Sequence, residues 1–495
     1  MMGRAQRIDG KLFYTSFRLE DRVRGDNPLR AIKSAIDFSF VRQEVRDLYG
    51  RRGNPSVDPT VLLKLMFLLV YENVPSERAL MARLPERLDW LWFCGYDLDA
   101  KVPDHSVISK ARRRWGVEVF SRFFQHVLQC CIDAGLVDGR TLHADASLIH
   151  ANADKSKLHP ALRVVGEQLY QRLDAESEGE QPRAGKNATP PEPGTIISPT
   201  DPDARLTRKN GQTVVGYKDH RVVDDRSGIV TATVTTDAAT AEAHVLSEAL
   251  DQHEENTDGC PSTVVADKGY GTSAVYEEMA ERQITPCIPH QSRRGGRGVG
   301  VYHTKDFHYD AGRDAYRCPA GQWLTRYATT KDGSGRYRAG GGVCARCSQR
   351  PQCTNARDSR RVTRHVRQEW IDWADGCFSG EHRRRLLSRR RIRAEGSFAD
   401  AANCHGFKRA RWRGLWLMTI QNLLVAAAQN VRKLMRALHR TNRPAAAAAA
   451  HPRFFTVQTC RDLCDSLAHV AFNRVRALFC CFRAPENVPA LERVN

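Results

Sequence analysis

Three carboxylates far apart in the chain have residue types suited to metal-assisted phosphodiester chemistry: Asp145, Asp267 and Glu395. Asp145 sits in RTLHADASLIHA, where Leu142, Ala144, Ala146 and Leu148 alternate with His143, Asp145 and Ser147. A period of two predicts a strand with one polar face. Asp267 ends the apolar run PSTVVAD and precedes Lys268-Gly269-Tyr270. The carboxyl end of a strand is where α/β sheets present ligand-binding groups. Glu395 lies in LSRRRIRAEGSFADAANCHGFKRARWRG, a stretch crowded with arginine. A regular helix over 392–402 places Glu395 on one face with Ile392, Phe398, Ala399 and Ala402, and turns Arg389, Arg390 and Arg393 elsewhere. An acid on that face needs a partner. A salt bridge to Arg391 one turn back is one solution; a cation shared with other acids is another.

If the strands of Asp145 and Asp267 are neighbours and the basic helix crosses them, the three carboxylates converge. Oxygen donors of this kind favour Mg²⁺ or Mn²⁺. Two such ions roughly 3.5–4 Å apart activate a water and stabilise a leaving oxygen. Clustered carboxylates repel one another, so metal or raised pKa values must compensate. The surrounding arginines then hold the phosphate backbone at the site.

The elements that must position these acids follow in order. Residues 1–136 read as a helical domain. Asp58-Pro59-Thr60 is a helix start, VLLKLMFLLVYENV is a mostly buried helix, and Ser76 opens SERALMARLPERLDWLWF. A third helix from Asp104 or Ser106 carries Lys110, Arg112, Arg113 and Arg114. Two short helices, a turn and a basic helix suit DNA contact. Residues 137–290 and 374–440 form a mixed α/β domain: the Asp145 strand, a hairpin of TVVGYKDHRVVDD and GIVTATVTTD, a helix, the Asp267 strand, a helix and the strand ITPCIP. A polar segment from Ala151 to about Thr207 reads as a flexible loop, after a helix ALRVVGEQLYQRLDA. Residues 291–373 are a Cys-, Gly- and Arg-rich insertion. GLWLMTIQNLLVAAAQNVRKLMRALHR is a long amphipathic helix, and residues 441–495 are a linker and tail.

The balance of 76 Lys and Arg against 57 Asp and Glu gives a formal net charge of +19. That excess attracts a polyanion, with nucleic acid the default. No run is long and apolar enough to span a membrane, and no export signal is visible at the start. A cytoplasmic protein with reduced cysteines is expected. Four of these, Cys318, Cys344, Cys347 and Cys353, cluster in the insertion and could hold Zn²⁺. His303, His308 and His365 are alternative ligands there.

HADASLIHANADKSK, VVADKGYG and RRRIRAEGSFADAANCHGFKRARWRGL resemble the three acidic motifs of DDE transposases from bacterial insertion sequences. RGNPSVDPTVLLKLMFLLVYENVPSERALMARL resembles the N-terminal domain of the same group, and the similarity runs from about Phe38 to Leu438. It implies a ribonuclease-H-like catalytic domain with an insertion, preceded by an all-α domain. It also implies Mg²⁺ (or Mn²⁺) at Asp145, Asp267 and Glu395, cleavage at terminal inverted repeats, and joining of the freed 3′-hydroxyl to target DNA. Double-stranded DNA is the expected partner, with a homodimer pairing two element ends near the nucleoid. DNA contacts are expected from Lys110, Arg112, Arg113, Arg114, Lys268, Arg389, Arg390, Arg391, Lys408, Arg409, Arg411 and Arg413. Two positions depart from the family pattern: Ala402, seven residues after Glu395, replaces a basic residue, and Ser388 replaces a tyrosine. Ala402 raises the alternative of a catalytically impaired, transposase-derived DNA-binding protein; in an active enzyme Lys408 or Arg409 would be the substitute basic residue.

Overall fold

The computed structural model describes residues 18–50, 56–154, 158–160, 195–209, 211–291, 302–356 and 358–441. Two compact units are present, 1–436 and 437–495, and of the second only the last turn of one helix is described. The expected helix ALRVVGEQLYQRLDA, the alanine-rich linker and the tail fall outside the described residues.

The N-terminal part is helical, as its apolar periodicity requires. Its longer helices are α1 (Pro28–Ala35), α2 (Pro59–Tyr71), α3 (Glu77–Arg83), α4 (Leu88–Cys94), α5 (Ser106–Trp115) and α6 (Glu118–Asp133). Asp58 caps α2 by accepting the Thr60 N–H at 2.9 Å, with Pro59 at the first position. The Ser76 hydroxyl accepts the Ala79 N–H at the start of α3. From Leu65 to Val70 every side chain of α2 is buried. Phe38 packs against Phe67, Phe93 and Phe123 at centroid distances of 5.6 Å, which joins α2, α4 and α6 around one aromatic centre.

A six-stranded mixed sheet follows. Its strands are β1 (Thr141–His150), β2 (Arg205–Lys209), β3 (Gln212–Asp224), β4 (Val230–Asp237), β5 (Thr263–Val265) and β6 (Thr285–Cys287). The order is β2-β3-β1-β5-β6, with β4 also paired to β3. The β3–β4 hairpin and the β1–β3 ladder are antiparallel, while β1, β5 and β6 run parallel. Helices α7 (Leu246–Thr257) and α8 (Ser273–Glu281) supply Leu246, Leu250, Val275 and Met279 to the core with Leu142, Ala144 and Val264. The end of the polar segment is not a loop: Arg205–Lys209 pairs with β3 because the long β3 leaves backbone groups there that need partners.

A separate five-stranded antiparallel sheet occupies the insertion: β7 (His308–Asp310), β8 (Ala315–Arg317), β9 (Trp323–Thr329), β10 (Gly335–Ala339) and β11 (Arg361–Arg364). Helix α9 (Gln368–Cys377) then returns Ile371 and Ala374 to the core of the six-stranded sheet. Helix α10 (Gly380–Arg390) leads through a π-helical turn, Arg391–Glu395, into α11 (Gly396–His405). The last described helix is α12 (Leu415–Thr441). It is buried on every side from Ile420 to Val431, which is more than the one apolar face its sequence suggests.

Candidate active site

The parallel β1–β5 ladder sets the first two acids side by side. His143 is the last β1 residue paired with β5, against Val265, and two residues further on each chain Asp145 and Asp267 lie within electrostatic reach of each other. Residues two apart on a strand share a face. On the other side of β1, Asp145 is directly opposite Arg221 of β3. The helical segment of Glu395 packs across β1 and β3.

Glu395 arrives by a route that regular helical periodicity does not describe. The Gly396 N–H donates to Arg391 O, an i to i−5 bond, and the turn holds one residue more than an α-turn. The buried face of this segment is Ala394, Ser397, Phe398, Ala401 and His405. Ile392 is 70% exposed, and Ala399 is exposed as well. The expected face of Ile392, Ala399 and Glu395 is therefore corrected: the extra residue rotates them outward. The Glu395 side chain is half exposed at the cleft. Its partner is Arg390, at π spacing, in place of the expected Arg391. Arg390, expected to point away, bridges two acids: Nη2 lies 2.8 Å from Glu395 Oε1 and Nη1 lies 3.2 Å from Asp145 Oδ2.

Asp145 is 9% exposed and accepts the Ala146 N–H at 2.9 Å. Burial pushes its carboxyl up to about 6 against the pull of Arg390, with the Asp267 and Glu395 charges adding to the rise. Asp267 accepts the Gly269 N–H at 2.7 Å, which fixes the turn Lys268–Tyr270. A fourth carboxylate, Glu242, stands against this turn. A Cβ at Gly269 would meet Glu242 Oε2 and lie 2.9 Å from Asp267 Oδ1, so a side chain there would push these carboxylates aside. Burial, then the Asp267 charge, raises the Glu242 pKa. Sequence reasoning missed Glu242, which lies in a one-turn 3₁₀ helix with no periodicity to mark it. Its one signal is an acid placed just before the apolar start of α7. The buried Tyr270 ring backs the cluster, and its phenol is raised first by burial and then by Glu242, Asp145 and Asp267.

Two anchors hold the Glu395 segment to the sheet. Asp225, in the β3–β4 turn, meets Arg389 at 2.7 Å, His143 at 2.8 Å and Arg393 at 4.0 Å. Arg221 is fully buried, with Nε 2.7 Å from Asp219, Nη1 3.1 Å from Ser397 Oγ and 2.7 Å from Gln429 Oε1. Its guanidinium lies 4.8 Å from the Phe398 and Phe407 ring centres. Lys408 Nζ donates to Ser147 Oγ at 2.6 Å, two residues along β1 from Asp145.

The other basic residues divide. Lys110, Arg113, Arg114, Lys268, Arg389, Arg391, Arg409 and Arg413 are exposed. Arg112 and Arg411 are not free for DNA, which corrects their expected role. Arg112 is 4% exposed, ion-paired to Glu77, and stacked 3.8 Å from the Trp412 ring centre. Arg411 bonds Asn73 Oδ1 at 3.0 Å and His405 O at 3.2 Å, clamping α11 to the end of α2. Cys318, Cys344, Cys347 and Cys353 line one cavity, whereas His303, His308 and His365 do not.

Among the described residues, no three His, Cys, Asp or Glu side chains already stand as a metal cage. The donor set around Asp145 nonetheless fits a hard divalent ion: every ligand atom is oxygen. A cationic guanidinium already stands between Asp145 and Glu395, so the place demands positive charge. No described helix is long and apolar enough to cross a membrane.

Residues 17–114 match the family described as Transposase domain (DUF772). Residues 317–435, which contain Glu395 and the four clustered cysteines, match the family described as Transposase DDE domain. No curated protein matches the chain. Among solved structures, the cryo-EM structure of the piggyBac transposase synaptic complex with hairpin DNA is similar at 9% identity and a TM-score of 0.30, covering 93% of this chain and 84% of that one. Two transposase domain models thus match in this order along one chain, which supports a DDE transposase of an insertion sequence.

Proposed function

We propose that this protein binds the terminal inverted repeats of its mobile element, cuts the DNA there, and joins the freed 3′-hydroxyl to target DNA. The observation that carries the reading is the meeting of Asp145 and Glu395 on Arg390, with Asp267, just past the end of the neighbouring strand, in electrostatic reach of Asp145. The catalytic domain in this reading is ribonuclease-H-like, built from residues 137–290 and 374–440, with 291–373 as its insertion and 1–136 as the DNA-binding domain. A divalent ion, Mg²⁺ or Mn²⁺, held by Asp145, Asp267 and Glu395 would supply the activation of the attacking and leaving oxygens.

The chain's own residues do the rest. Arg390 keeps two of the acids in place and offsets their charge. Arg389, Arg391, Arg409 and Lys268 are exposed around the cleft and steady the phosphate backbone. Lys408 brings a basic group beside the strand of Asp145, in electrostatic reach of that carboxylate. It is the substitute for the base missing at Ala402. Lys110, Arg113 and Arg114 on α5 add contacts to the duplex. Pairing two element ends calls for two copies of the chain, acting on DNA at the nucleoid.

The test is incubation of the purified protein with linear DNA carrying the element's ends, Mg²⁺ and a target plasmid. New 3′-hydroxyls at the ends and joined products support the reading. End-specific binding with no cleavage in Mg²⁺ or Mn²⁺ supports instead the impaired DNA-binding protein that Ala402 suggests.

A further inference from the structure

The insertion has a core too small for its length. Six buried residues, Phe307, Tyr316, Leu324, Tyr337, Ala339 and Val362, serve five short strands and their turns. Segments this poor in apolar contact commonly depend on a metal or a disulfide. No disulfide joins Cys318, Cys344, Cys347 and Cys353, which all stand as free cysteines.

These four come from three separate turns and line one cavity of about 30 Å³. Cys318 opens the turn 318–322. Its N–H donates to Gln322 O at 2.9 Å, and the Gln322 N–H donates to Cys318 Sγ at 3.3 Å. Cys344 and Cys347 flank a second turn, closed by the Cys347 N–H on Cys344 O at 3.4 Å. Cys353 ends the single helical turn Arg350–Cys353, and Cys344, Cys318 and Cys347 all lie within its electrostatic reach. A backbone N–H aimed at a cysteine sulfur is a bond that stabilises a thiolate once one forms. Arg350 and Arg360 also line the cavity. Zn²⁺ with four thiolates carries two net negative charges, and two guanidinium groups match them.

We propose that Cys318, Cys344, Cys347 and Cys353 form a structural Zn²⁺ site that holds the insertion together. The four residues line the cavity without already standing as a metal cage. A change of χ1 rotamer moves a cysteine sulfur by about 3 Å, and metal binding would draw the four together through such changes. Binding balances as Zn²⁺ plus four thiols giving a tetrathiolate complex and four released protons. The site is closed, with no position for substrate, as structural zinc sites are. The proposal is independent of the catalytic reading, since metal content is measured without DNA.

The test is elemental analysis of the full chain purified under reducing conditions from zinc-replete cells, together with Co²⁺ substitution. The expected result is about one zinc per chain, and a tetrahedral cobalt–thiolate absorption after exchange. Cys344→Ser and Cys353→Ser should each lose most of the metal, whereas Cys260→Ser, an exposed cysteine elsewhere, should keep it. Should either site variant fail to fold, the wild-type measurements decide. Wild-type protein without zinc and without the cobalt–thiolate band would overturn the proposal, as would zinc retained when all four cysteines are replaced by serine.

Discussion

The Arg390 guanidinium stands 3.2 Å from the Asp145 carboxylate, and both side chains are 13% exposed. The same guanidinium holds Glu395 with its other nitrogen. A permanent cation thus occupies the place between two acids that a divalent ion is proposed to take. Removing it should relieve electrostatic competition. Arg390→Ala is expected to tighten Mn²⁺ binding in the absence of DNA by about three- to tenfold, roughly 1 kcal/mol. Isothermal titration with Mn²⁺ measures this, and weaker binding by the variant would contradict the competition.

Arg221 and Asp219 form an ion pair with no exposure on either side chain, and Arg221 also bonds Ser397 and Gln429. Deleting one partner strands a buried charge. Arg221→Met is expected to destabilise the protein by about 3–5 kcal/mol, seen as a lower denaturant midpoint. Changing Asp219→Leu in the same protein should recover a large part of that loss. A single variant as stable as wild type would show that the network does not anchor the Glu395 segment.

Two buried histidines make stability fall in weak acid. Burial pushes His253 and His405 down to about 4, while in the unfolded chain they titrate near 6.5. Between those values the unfolded state binds more protons, so stability is fully present above about pH 6.5 and is lost as pH falls toward 4. Each histidine contributes a slope of about 1.4 kcal/mol per pH unit in that window. His253→Asn should flatten the dependence of the denaturant midpoint between pH 6.5 and 4; an unchanged slope would count against it.

Exposed and buried arginines of α5 should behave differently. Arg113→Ala and Lys110→Ala are expected to weaken duplex binding evenly across sequences and to reduce the salt slope by about 0.9 each. Arg112, buried against Glu77 and Trp412, should instead lower thermal stability when changed to alanine. Fluorescence anisotropy over a salt series, with melting curves alongside, separates the two cases.

Much of the sheet was legible because its pattern is local. The alternation in β1, the turn residues between β3 and β4, and the apolar run before Asp267 each announce a strand without tertiary help. The parallel pairing of β1 with β5 was a condition in the sequence argument and is a register in the fold. The face of Glu395 was not legible, because one extra residue in a π-turn changes where Ile392, Glu395 and Ala399 point while the sequence looks like an ordinary helix. Arg390 was read as pointing away for the same reason. Glu242 escaped because a 3₁₀ turn between strand and helix has no period to betray it. Arg112 and Arg411 misled because an arginine in a basic run looks alike whether it meets phosphate or, as here, a carboxylate and backbone carbonyls of its own chain. Strand β2 was hidden at the end of a polar segment whose composition resembles a loop.

The central claim is that Asp145, Asp267 and Glu395 act as one catalytic unit. The direct measurement is strand cleavage of DNA carrying the element's ends, in Mg²⁺, by wild type and by Asp145→Asn, Asp267→Asn and Glu395→Gln. End binding is measured in parallel to confirm folding. The account predicts that each variant binds ends within about threefold of wild type and loses cleavage by about a thousandfold or more, as expected when one member of a catalytic unit is removed. Cleavage near the wild-type rate in any one of the three would remove that residue from the site, and in all three would contradict the account.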